Sequence, residues 1–206
     1  GGTGTLTAAV RTRAQYSVNV SFNQINNNNG SGGNPDSELY AVYLGPANAA
    51  SLQVNSNTIS LSAHSSSFDV YGIYSTGFSN SLTLNILNNI FTSCTLSNYA
   101  VNSMIYEFSN NSTADISYNL FKNIAGIHGF RMVHTNNGTA RTINSNTLTN
   151  LTTSGSLYTF NIGSDYSVSV TNNIIDSVVA VGEGGEHRPP TLLCGACELA
   201  GDGMDL

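Results

Sequence analysis

Charge is scarce in this 206-residue chain: Asp, Glu, Lys and Arg together make up 9% of it. Its surface must therefore be covered by uncharged hydrogen-bonding groups, which the abundant Asn, Ser, Thr and Gly supply. Such a composition suits turns and sheets and not amphipathic helices. Basic surplus is absent too. Residues 1–182 carry seven acids and five Arg or Lys, whereas residues 183–206 carry five acids and Arg188. No cationic stripe is left to track a phosphate backbone, which excludes nucleic acid as a partner, and electrostatic attachment to a membrane is equally unsupported. No run approaches the roughly 18 consecutive apolar residues that a membrane span needs. A charged-then-apolar leader and an initiator Met are missing, so the chain reads as a mature or excised piece of something longer. The three cysteines, Cys94, Cys194 and Cys197, form no disulfide framework, and the core must hold by packing alone. Low charge and abundant Asn point to an extracellular or cell-surface setting.

What is present is a repeat. Six segments share the pattern apolar, two residues, Asn, one residue, apolar: Val20-Asn23-Ile25, Val54-Asn57-Ile59, Ile86-Asn89-Phe91, Ile116-Asn119-Phe121, Ile143-Asn146-Leu148 and Val170-Asn173-Ile175. The asparagines are 34, 32, 30, 27 and 27 residues apart. Two residues before each first apolar position stand Val18, Leu52, Leu84, Ala114, Arg141 and Val168, a period-two strand pattern in which Arg141 is the misfit. A second family of short strands centres on Val42, Ile73, Ile105, Phe130 and Phe160, with Leu44, Ser75, Glu107, Met132 and Ile162 two residues on. A single strand of this length cannot bury its apolar face, but coils of two or three strands stacked at about 4.8 Å bury a continuous column. Asn tolerates the left-handed backbone of a tight corner, and its amide can bond to the Asn one coil above. The expected fold is all-β, a parallel solenoid of about six coils over residues 1–181, with Asn23, Asn57, Asn89, Asn119, Asn146 and Asn173 as a ladder at one corner. Helical repeats, leucine-rich repeats and propeller blades fail on period or composition. Losing one rung, as in Asn119→Ala, is expected to cost about 1–2 kcal/mol.

The units "VNSNTI" from Val54 and "INSNTL" from Ile143 resemble the right-handed parallel β-helix repeat of pectin-lyase-like proteins, in particular the Asn-rich versions in large secreted bacterial proteins. The resemblance covers roughly residues 5–180. It implies the fold; that fold hosts lyases, hydrolases, adhesins and structural spacers alike. From Gly182 onward the pattern stops and Asn disappears, so residues 182–206 read as a disordered or loosely docked tail.

Sugar-cleaving β-helix enzymes cluster acids on one face to hold Ca²⁺ or to serve as acid and base. Here Glu38 and Asp69 share one offset, four residues before Val42 and Ile73, and are the pair that could hold a cation; Glu107, Asp115, Asp165 and Asp176 fall at different offsets and do not converge. In "IHGFRMVH", inward Phe130 and Met132 would place His128 and His134 on their side and Arg131 on the other. The outward positions of the same strands align Tyr43, Tyr74 and Tyr106, followed by Arg131 and Asn161. This strip reads either as a self-stacking ladder or as a platform for sugar rings, with Arg131 and the phenols as hydrogen-bonding groups. Cys94 aligns with Ile124, Leu151 and Val178 as a buried small hydrophobe. Cys194 and Cys197 make one CxxC, short of a zinc site. Asn-x-Ser/Thr triplets at Asn19, Asn29, Asn110, Asn111, Asn137 and Asn150 arise by chance in such a composition. Three functions stay open: a non-catalytic structural or adhesive segment, a carbohydrate-binding module, and a polysaccharide lyase or glycoside hydrolase. The first is favoured.

Overall fold

Alternating aliphatic and polar residues turn one face of each segment inward, and the chain satisfies these faces by stacking them. The computed structural model describes residues 7–27, 38–64, 68–97, 102–127, 129–181, 187–188 and 191–194. Within them the chain is all β, a parallel solenoid with no helix. A nine-stranded sheet runs through Thr7–Ser21, Leu39–Asn55, Val70–Leu87 and Asn102–Ser117. It continues as two split pairs, Phe130–Thr135 with Ala140–Asn144 and Leu157–Ile162 with Val168–Thr171. An eight-stranded sheet holds the returning segments, from Gln24–Asn26 through Thr58–Ser60, Ile90–Ser97, Leu120–Gly126 and Thr147–Thr153 to Ile174–Val181. From the 182–206 stretch, Thr191–Cys194 pairs in parallel with Leu157–Ile162, and His187–Arg188 pairs antiparallel with Ile174–Val181. Cys197, His128, Asn29 and most of the Asn-rich loop after Asn26 lie outside the described residues.

Registers follow the repeat. Val20, Val54, Ile86, Ile116, Ile143 and Val170 form one inward column. Ile25, Ile59, Phe91, Phe121, Leu148 and Ile175 form another, in which the Phe91 and Phe121 rings stack at 4.9 Å. Cys94 is buried in line with Ile124, Leu151 and Val178, and burial pushes its thiol up to about 11.

Between these columns runs the corner ladder. At each link the backbone N–H and Nδ2 of one Asn both donate to Oδ1 of the next, at 2.9–3.1 Å, from Asn23 through Asn57, Asn89, Asn119 and Asn146 to Asn173. Five such links make about five turns. The left-handed residue is not the ladder Asn but the one before it: Phe22, Ser56, Asn88, Tyr118, Ser145 and Asn172 all have φ between 55° and 60°. The corner expectation is corrected accordingly. A side chain that must point inward to bond along the axis leaves the strained φ to its neighbour, whose own side chain is thrown outward, as Phe22 and Tyr118 are.

Each interior Asn also donates Nδ2 to a carbonyl of the preceding coil; Asn119 does so to Ile86 O at 2.9 Å. Truncating Asn119 therefore strands the Asn89 N–H and the Ile86 carbonyl, both buried, and takes one acceptor from the Asn89 amide, which keeps its bond to Val54 O. Asn119→Ala is expected to lower stability by about 3 kcal/mol, above the one-bond figure, because buried unpaired groups cost more than a bond gains. Urea titration checks this, and a midpoint equal to wild type would exclude the ladder as a stabilising element.

Candidate ligand-binding face

The strands of the second family change parity midway. Ala41 and Val42, Gly72 and Ile73, Met104 and Ile105, Met132 and Val133, and Thr159 and Phe160 are adjacent residues that are both buried. Two consecutive inward residues bend the sheet so that the outward side chains on either side converge. Space at the bend is tight: a Cβ on Gly72 would lie 2.4 Å from Met104 O and 2.6 Å from the Phe91 ring.

The parity change corrects the register of one strand. Val133, not Phe130, aligns with Ile105 and Phe160, and Thr135, not Met132, aligns with Glu107 and Ile162. His134 therefore follows Tyr106 in the outward column, ahead of Asn161, while Arg131 lies one column over, beside Ser103 and Tyr158. Far from opposing each other, Arg131 and His134 share the face, with Arg131 Nη1 3.5 Å from His134 Nδ1. Burial, with Arg131 adding to it, holds His134 down at about 4, so the ring is neutral and its Nδ1 accepts.

The outer crease is aromatic. Tyr43 stacks on Tyr74 at 5.3 Å and 18°, Tyr74 on Tyr106 at 4.9 Å and 6°, and His134 meets Tyr106 edge-on. A second column that sequence reasoning missed packs into it: Tyr40 stacks on Tyr71 at 5.1 Å, and both rings meet Tyr74 edge to face. Tyr40 and Tyr71 stand three residues before Tyr43 and Tyr74, a recurrence that could have flagged them, but convergence depends on the bend. Arg11 caps the Tyr43 end of the strip, 5.6 Å from the ring centroid. The stacked rings cover each other's faces, and Tyr43, Tyr74 and Tyr106 are each half-buried.

Glu38 and Asp69 do occupy adjacent coils, since Leu39 pairs with Val70. Each carboxylate accepts a phenol hydroxyl, Glu38 from Tyr40 and Asp69 from Tyr71, the latter at 2.9 Å. Burial raises the hydroxyls of Tyr40 and Tyr71 far above the usual phenol range, and the carboxylates add to this. Among the described residues, no three His, Cys, Asp or Glu side chains gather as a metal cluster.

A separate polar centre lies inside the coils and overturns the expectation that Glu107 and Asp165 stay apart. Arg141 is 1% exposed and pairs with Glu107, while its Nε lies 3.4 Å from Asp165 Oδ1. Its Nη1 donates to Ser112 O at 2.7 Å and its Nη2 to Ser112 Oγ at 2.9 Å. Asp165 accepts from Gly138 N–H at 2.7 Å and Thr135 Oγ1 at 2.8 Å. A Cβ at Gly138 would lie 2.0 Å from the guanidinium, so only glycine admits this packing. Burial raises Glu107 to about 7 against the opposing pull of Arg141 and the Ser109 N–H. One guanidinium cannot neutralise two buried carboxylates, and a proton on Glu107 removes the surplus charge. The signal was in the sequence as two charged residues, Glu107 and Arg141, at inward positions. Closed off from solvent, this centre organises the core and faces no substrate.

Among the described residues, no helix is long and apolar enough to cross a membrane. No family model, no curated protein and no solved structure matches this chain.

Proposed function

We propose that this chain is a non-catalytic structural and adhesive segment of a secreted or cell-surface protein, a right-handed solenoid of the pectin-lyase-like kind whose tyrosine crease binds carbohydrate. One observation carries the reading. Tyr43, Tyr74 and Tyr106 repeat at the coil spacing on the outside, with Arg11 at one end and Arg131 beside the other. A repeating row of phenol edges and guanidinium groups matches a repeating chain of sugar hydroxyls better than it matches a compact ligand. The engagement of Glu38 and Asp69 by Tyr40 and Tyr71 favours this reading over a lyase or hydrolase, whose acids need to meet substrate or Ca²⁺.

A glycan array with the wild-type chain and with Tyr43, Tyr74 and Tyr106 all replaced by Phe tests it. The Phe variant keeps the ring stack and deletes the hydroxyls, so its melting point is expected to stay close to wild type while glycan binding falls at least tenfold. Equal binding by the two proteins, or no wild-type signal on any glycan, rejects the crease as a carbohydrate site.

A further inference from the structure

The aromatic crease is gathered around one ring. Tyr74 stacks between Tyr43, at 5.3 Å, and Tyr106, at 4.9 Å, and it meets Tyr40 and Tyr71 edge to face at 4.9 and 4.8 Å. Tyr74 therefore touches four other phenols, drawn from its own coil and from the coil on either side. A sugar lying along the outer column makes no use of the inner pair, Tyr40 and Tyr71, whose hydroxyls are engaged by Glu38 and Asp69.

A phenol gives up an electron readily only when its proton leaves as well, because the radical cation left otherwise is a strong acid. In Tyr40 and Tyr71 the acceptor for that proton is already bonded to the hydroxyl, Glu38 in one case and Asp69, at 2.9 Å, in the other. Burial raises the Tyr74 hydroxyl to about 12, so no standing phenolate supplies the electron there. Competing donors are few: the chain has no Trp, and Cys94, Met104 and Met132 are buried.

We propose that the Tyr74 cluster is a site of oxidative cross-linking, at which a one-electron oxidant of the haem-peroxidase class, working with hydrogen peroxide, couples Tyr74 to Tyr43 or Tyr106 as dityrosine. Tyr40 or Tyr71 loses an electron to the oxidant and its proton to Glu38 or Asp69. Tyr74 replaces that electron across the ring contact; the carboxylate hands its proton back, and half-buried Tyr74 releases its own proton to solvent. A second oxidation leaves a radical on Tyr43 or Tyr106, and the ring carbons beside the two hydroxyl-bearing carbons join. The hydrogen on each joined carbon moves to the oxygen and restores the phenol, so two tyrosines and one peroxide give one dityrosine and two waters. The chemistry needs no bound sugar. The new bond ties neighbouring coils through residues 31 or 32 apart, in a chain whose cysteines form no disulfide framework. Closing such a loop restricts the unfolded chain as a disulfide does.

The full chain, dilute and with its thiols alkylated, is treated with a small haem peptide and hydrogen peroxide. Dityrosine is read by its fluorescence and located by mass spectrometry after cleavage before Asp, which separates residues 36–68 from 69–114. Accessibility alone favours Tyr16, Tyr118 and Tyr166, which are 58–85% exposed and join no ring stack among the described residues. The cluster is expected to react instead, giving a chain that stays monomeric, carries the bond between Tyr74 and Tyr43 or Tyr106, and melts at a higher temperature than before. Tyr74→Phe keeps the stack and is expected to cut the yield at least tenfold, whereas replacing Tyr16, Tyr118 and Tyr166 together by Phe leaves it unchanged. Glu38→Gln with Asp69→Asn keeps an acceptor for each hydroxyl but no base for its proton, and is expected to lower the yield severalfold. No dityrosine in the wild type, bonds that map to the three exposed tyrosines or join separate chains, or a full yield in Tyr74→Phe overturns the inference. An undiminished yield in the Gln and Asn variant overturns the part given to the carboxylates.

Discussion

Replacing Arg141 with Met is expected to cost about 3–5 kcal/mol at pH 8 and clearly less at pH 5. The cation sits between Glu107 and Asp165 with all three side chains buried. Without it, two carboxylates are left in a low-dielectric core, and each must either take up a proton or force the coils apart. At pH 5 protonation is easy; at pH 8 it is not. Wild type already carries a weaker form of this dependence. Glu107 is raised from 4.5 to about 7, so the folded state holds this proton more tightly than the unfolded chain does. Its contribution is complete below about 4.5 and is lost as pH rises through about 7. Asp165 and Arg141 are the charged groups facing it. Urea titrations of both proteins at the two pH values provide the check, with Glu107→Gln as a milder control that keeps a hydrogen-bonding group beside Arg141. An Arg141→Met penalty independent of pH would show that the loss comes from packing and not from stranded charge.

Ile143→Asp is expected to be worse still, by more than about 4 kcal/mol, and its damage should be local. Ile143 is fully buried, and its column neighbours are Ile116 and Val170. The nearest cation along the strand, Arg141, is already committed to Glu107 and Asp165, so a new carboxylate finds no partner. Each coil of a solenoid touches only its neighbours, and cooperativity passes along the stack through those contacts. Hydrogen exchange should therefore show protection lost across residues 140–181 and retained in Leu39–Asn55 and Val70–Leu87. A uniform loss over the whole chain would mean that the coils fold as one indivisible unit.

The columns were legible because they depend on local pattern. A period of two sets which side chains face inward, and a fixed step from the apolar residue to Asn places each corner; neither needs knowledge of loop length. The same logic misplaced Phe130 and Arg131, because alternation is counted residue by residue and two successive inward residues, Met132 and Val133, break the count without any break in composition. It also attributed the strained backbone to the ladder Asn, when the residue before it carries the positive φ. Whether φ is positive at one position or the next depends on which side chain must turn inward to bond, a choice made between coils.

From sequence alone came the all-β class, the stacking of coils, the corner asparagines and the aliphatic columns, since repetition with a strict parity has few ways to bury its apolar face. Only the tertiary structure decided that Glu107, Arg141 and Asp165 meet, and that Tyr40 and Tyr71 close against Tyr74. These contacts join residues whose separation along the chain varies from coil to coil, and stacking and the bend in the sheet bring them to touching distance.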